Sequence, residues 1–100
     1  PITLLQTPSN TASSWHLFVI RVKSEAKITR KQLYHALINA GIGCQVHYIP
    51  VHSQPYYQAL GFAWGDFPVT EQFYDNCLSI PIFPDLKAQQ RVISQICALF

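Results

Sequence analysis

The chain is 100 residues long, 49% hydrophobic and 12% charged, with seven Lys and Arg against five Asp and Glu. That length suits one domain burying roughly 65% of its unfolded surface, and so apolar a composition excludes intrinsic disorder. A scattered net charge of +2 marks no nucleic-acid surface, and apolar runs such as Leu17–Ile20 are far too short to cross a bilayer.

Residues 1–14 follow a short apolar patch with Thr, Ser, Asn and Pro, and read as a linker or entry segment. Trp15–Val22 (WHLFVIRV) is the strongest strand, dense in β-branched and aromatic residues on both faces, as a central strand would be. His16 stands at its start, on the face of Phe18 and Ile20.

A helix comes next. Thr29 is a good N-cap, Gln32 completes a capping box, and Ile28 with Leu33 forms a hydrophobic staple. Leu33, Leu37 and Ala40 make its apolar stripe, and Gly41 sits where a left-handed cap is wanted. Cys44–Ile49 reads as a second strand ended by Pro50. Gln54–Leu60 and Thr70–Asn76 are short helices, and Leu78–Ile82 is a third strand with Pro81 near its end. Asp85 is the expected cap of a final helix with the stripe Leu86, Ile93, Ile96 and Phe100. The order predicts a small α/β or α+β domain, a three-stranded sheet with helices packed on it.

Three cysteines, Cys44, Cys77 and Cys97, include no C-x-x-C pair, so neither a disulfide framework nor a ribbon-type zinc site is indicated. A reducing, cytoplasmic setting is expected, and no charged-then-apolar signal opens the chain. With no Met anywhere and Pro1 at the start, a piece of a longer protein is expected.

From Gln32 to Gly65 there is no Asp, Glu, Lys or Arg, yet the stretch holds Tyr34, Tyr48, Tyr56, Tyr57, Phe62 and Trp64 with His35, His47 and His52. A free surface loop ordinarily carries charge. One helix and one strand account for about half of the stretch as ordinary core, but Pro50–Gly65 reads as the core of an interface. Cys44, His47 and His52 have a metal-like spacing, yet on a strand Cys44 and His47 would face opposite ways, so no metal site is expected. No nucleophile–base order, phosphate loop or carboxylate pair is present, and no complete catalytic site can be assembled.

Taken together, WHLFVIRV, ITRKQLYHALINAGIGCQVHYIPVH, QPYYQALG, FPVTEQFYDNCLSIPIFPDL and the closing helix resemble the C-terminal small domain of the DegT-type sugar-nucleotide aminotransferases. The likeness runs from Ser14 to Phe100. These are pyridoxal-phosphate (PLP) enzymes of fold type I. Within the family, VHYIPVH with QPYYQ and GDFP looks most like the pseudaminic-acid branch, which aminates a UDP-linked 4-keto-6-deoxy-N-acetyl sugar from L-glutamate. The aminoarabinose branch, which acts on a UDP-4-keto-pentose, shares WHLF and GIG. Sugar dehydratases keep the same fold.

The resemblance implies that residues 15–100 are the small domain of a homodimeric enzyme. Its large domain, carrying PLP and the Schiff-base lysine, lies outside this sequence. It also implies that His16, His47, Tyr48 and His52 line the substrate side of the cleft. Neutral donors there can orient hydroxyls and a diphosphate that a carboxylate would repel. No catalytic residue is expected in this chain, which should be inactive alone. A free-standing binding module is the rival class; it would bury Tyr56, Tyr57, Phe62 and Trp64.

Overall fold

A computed structural model describes all residues, 1–100. Its sheet has three antiparallel strands, β1 (Ile2–Leu4), β2 (Phe18–Val22) and β3 (Cys77–Ile80), in the order β1-β2-β3. Four helices accompany it: α1 (Arg30–Asn39), α2 (Pro55–Ala59), α3 (Pro68–Asn76) and α4 (Gln89–Cys97). The α+β class with a three-stranded sheet is as expected, but the strands are not the expected three.

β2 is the central strand. Ile20 pairs with Leu4 on one side and Leu78 on the other. Its alternation buries Ile20 and Val22 and exposes Arg21, so one sheet face meets the core and the other is partly open. The strand starts at Phe18 rather than Trp15. Trp15 has φ +40° and stacks on Phe18 at 5.5 Å, so His16 precedes the strand instead of opening it.

The opening residues correct the linker reading. Ile2–Leu4 forms the β1 edge strand, and the Lys23 amide donates to the Pro1 carbonyl at 2.8 Å. Three residues are too few to display a period, which hid this strand behind the Pro- and Ser-rich stretch that follows.

Cys44–Ile49 is not a strand. Only Gln45 pairs with the sheet, exchanging both backbone hydrogen bonds with Ser79. β3 leaves room for little more, because α3 runs directly into it at Cys77 and Pro81, one residue past its end, lacks an amide hydrogen.

α1 follows its local signals closely. The Thr29 hydroxyl accepts from the Gln32 amide at 3.2 Å and the Gln32 side chain accepts from the Thr29 amide at 2.8 Å, completing the capping box. At the other end Gly41, at φ +73°, closes a Schellman motif. Its amide donates to Ile38, and the Ile42 amide reaches back to Leu37. Leu33 and Leu37, both fully buried, join Leu78, Ile42, Val92 and Ile96 in one core.

α4 begins later than expected. Asp85 does not cap it: at φ +63° Asp85 occupies a turn after Pro84, a conformation Asp tolerates better than most residues. The helix starts at Gln89, which brings Val92 rather than Ile93 to the core, four residues before Ile96.

Candidate functional site

Two features stand out on the surface formed by Cys44–Asn76. The first is a pocket of mixed character, about 510 Å³, lined by both His16 and His47 together with Gln45, Ser79, Ile38 and Pro81. Two of the four candidate site residues therefore share one cavity.

Within it, both ring nitrogens of His47 are engaged. The Gln45 side-chain oxygen, 3.2 Å from Nε2, can only accept, so Nε2 carries the hydrogen. Nδ1 then accepts from the Ser79 hydroxyl at 2.8 Å. Tyr48, next in sequence, is 74% exposed, and its ring stands edge-on to His47 with centroids 4.6 Å apart.

The second feature is the lobe from Pro50 to Asn76. Here His52 lies apart from the other candidates, buried rather than open to a cleft. Its Nε2–H donates to Glu71 Oε1 at 2.8 Å, and both side chains are 8% exposed. Glu71 also accepts from the amides of Gly65 at 2.7 Å and Phe67 at 3.3 Å. Gly65 reaches that position at φ +104°, where any side chain would add strain.

Burial by itself pushes the Glu71 carboxyl upward; the Gly65 and Phe67 amides and His52 outweigh it, so its pKa lies below the ordinary carboxylate value. The Phe67 amide stands at the N-cap of α3, with Pro68 at its first helical position. Around this polar centre sit rings: Phe67 at 4.8 Å and Trp64 at 6.1 Å from His52, with Tyr57 and Phe62 beyond. His52, Val51, Tyr57, Phe62, Phe67 and Thr70 line an apolar pocket of about 330 Å³.

The sequence reading missed Glu71, Ser79 and Gln45. Glu71 had a visible signal, an acid in the first turn after Pro68 and among the first acids to follow the uncharged stretch. Ser79 and Gln45 had none, since only tertiary contact brings them to His47.

The lobe's outer face is apolar. Tyr56, Tyr57, Phe62 and Trp64 are all exposed, as are Ile49, Val51, Leu60 and Val69. A free-standing module would bury the four rings; this chain does not.

A PLP site does not fit the residues present. Lys23, Lys27, Lys31 and Lys87 are all exposed, Lys23 within 3.7 Å of Glu25, and none is desolvated as a cofactor-binding amine must be. The single buried acid, Glu71, is committed to His52 and two amides. No cluster of three or more His, Cys, Asp or Glu could hold a metal. No helix is long and apolar enough to cross a membrane.

The family model for the DegT/DnrJ/EryC1/StrS aminotransferase family matches residues 1–97. The chain belongs to that family. It is 40% identical over 100 aligned residues to the erythromycin biosynthesis sensory transduction protein EryC1 of Saccharopolyspora erythraea, covering 97% of this chain and 26% of that protein. It is 41% identical over 77 residues to the spore coat polysaccharide biosynthesis protein SpsC of Bacillus subtilis, covering 74% of this chain and 20% of that one.

Among solved structures, S. venezuelae DesV superposes with a TM-score of 0.80 at 36% identity, over 95% of this chain and 25% of DesV. The putative sugar aminotransferase Spr1654 from Streptococcus pneumoniae reaches 0.85 at 28% identity, over 98% of this chain and 25% of its own. Spr1654 has been solved in PLP, PMP and apo forms. The chain thus spans about a quarter of the length of the relatives it matches.

Proposed function

We propose that this chain is the C-terminal small domain of a PLP-dependent aminotransferase that moves an amino group from L-glutamate to C4 of a UDP-linked 4-keto sugar. The product would feed surface-polysaccharide or pseudaminic acid biosynthesis. Family membership over residues 1–97 carries this reading. PLP supplies the electron sink for amino transfer, and a large domain outside this chain holds it in a cytoplasmic homodimer. The exposed, uncharged face of Tyr56, Leu60, Trp64 and Val69 supports a role packed against other protein rather than as a free module.

In this reading the His16–His47 pocket and neighbouring Tyr48 form part of the substrate wall. Beside the His47 ring, His16 and the Tyr48 hydroxyl offer neutral donors and acceptors, with no carboxylate between Gln32 and Gly65 to repel a diphosphate. His52, locked to Glu71, contributes by fixing the adjoining turn and lining the apolar pocket.

The test is amination by the full-length enzyme, with PLP and glutamate, of UDP-4-keto-6-deoxy-N-acetyl sugar and of UDP-4-keto-pentose, read by product mass. Amination of the hexose supports the pseudaminic branch, and preference for the pentose moves the chain to the aminoarabinose branch. A dehydrated product with no nitrogen gained overturns the transaminase reading. The isolated chain mixed with PLP should develop no stoichiometric, borohydride-reducible absorbance; if it does, the cofactor is not held elsewhere.

A further inference from the structure

Two fixed points bracket the exposed pair Tyr48–Ile49. On one side His47 is held through both nitrogens, by Ser79 at 2.8 Å and Gln45 at 3.2 Å. On the other Pro50 is buried, and His52 is bonded to Glu71. Between them the chain sends Tyr48 outward, 74% exposed, with the His47 ring steeply inclined beside it, centroids 4.6 Å apart.

A histidine whose two nitrogens are both occupied has no polar atom left for a ligand. What it still offers is a rigid ring. Ser79 is itself buried on β3, and its backbone is bonded to Gln45 in both directions, so the support for that ring is continuous with the sheet. A ring fixed at both nitrogens cannot rotate away from the phenol packed against it, which restricts the rotamers open to Tyr48.

We infer that His47 is a positioning residue, held by Ser79 and Gln45, that presents the Tyr48 hydroxyl to the sugar-nucleotide substrate. This rests on the proposed reading, in which Tyr48 faces substrate, and deepens it by dividing the two neighbours into different roles. Tyr48 makes the contact; His47, Ser79 and Gln45 aim it. Correct aim acts on the bound complex, so its loss should fall on kcat/KM without changing how much enzyme is folded.

The decisive experiment is a double-mutant cycle in the full-length enzyme, using Tyr48→Phe, Ser79→Ala and the combination, with kcat and KM measured on the folded, PLP-loaded fraction. Tyr48→Phe should lower kcat/KM about tenfold or more, and Ser79→Ala about three- to tenfold. In the Tyr48→Phe background Ser79→Ala should cost almost nothing further, because its effect passes through the missing hydroxyl. Ser79→Thr, which retains a donor hydroxyl, should restore most of the activity.

Because Ser79 is buried, Gln45→Leu serves as a second probe at an exposed position and should show the same dependence on Tyr48. If Tyr48→Phe leaves kcat/KM unchanged, the placement of Tyr48 on substrate is wrong, and the inference fails with it. If Tyr48→Phe is costly but Ser79→Ala and Gln45→Leu are silent or fully additive with it, the substrate wall stands and the positioning role is overturned.

Discussion

The sheet with α1 and α4, and the lobe from Pro50 to Asn76, are built on opposite plans. In the first, carbon is inside: Val22, Leu33, Leu37 and Leu78 are at most 2% exposed and the charges sit outside. In the second the best-buried side chains are a histidine and a glutamate, while Tyr56, Leu60, Trp64 and Val69 face outward. Hydrophobic burial holds the first half without geometric precision; the second depends on a few hydrogen bonds converging on one carboxylate oxygen. An outward apolar face with a polar pin beneath it suits a surface that keeps its shape until another protein surface covers it.

The largest effect is expected from hollowing the core. Leu37→Ala in the purified chain should lose about 3 kcal/mol or more in urea unfolding, since it removes a fully buried side chain and leaves a cavity. A comparable loss from Tyr56→Ala, at 70% exposure, would erase the distinction between the halves.

An intermediate effect is expected at the pin. Glu71→Gln should speed amide exchange at Gly65 and Phe67 about tenfold, while α1 amides keep their protection. The unmutated lobe should show the same loosening in acid. Because the Glu71 carboxyl is held below its ordinary value, its contribution is complete above the ordinary carboxylate range. It disappears as pH falls through the lowered value, when the carboxylate gains a proton. Exchange at these two amides that does not rise toward acid in the wild type, relative to α1 after intrinsic-rate correction, would show that the pin is not what holds the lobe.

The smallest effect is at the outer face. Tyr56→Ser and Trp64→Ser should each shift the chain's stability by no more than about 0.5 kcal/mol, yet reduce binding of an apolar fluorescent dye. A large stability loss would mean those rings already belong to a core.

Legibility followed the range of the forces. The ends of α1 could be read directly because Thr29, Gln32 and Gly41 act within one turn of the backbone they cap. Asp85 looked like the same kind of cap, but a residue that caps helices also tolerates the left-handed turn it adopts here. Among the site residues, the aromatic, uncharged character of the lobe was visible as composition. Which of its members would be buried was not, because His52 finds Glu71 only nineteen residues later.

The class of the domain, the central place of Phe18–Val22, the α1 helix and the apolar character of the uncovered lobe are all written locally in the chain. Each rests on pattern, propensity or capping, which operate between near neighbours. Long-range packing is what makes Ile2–Leu4 the third strand, limits Cys44–Ile49 to one residue on the sheet, brings His16 and His47 to one pocket, and seals His52 against Glu71. Those outcomes depend on which backbone donors and buried polar atoms remain unpaired once the chain has closed on itself, and no local stretch of sequence contains that information.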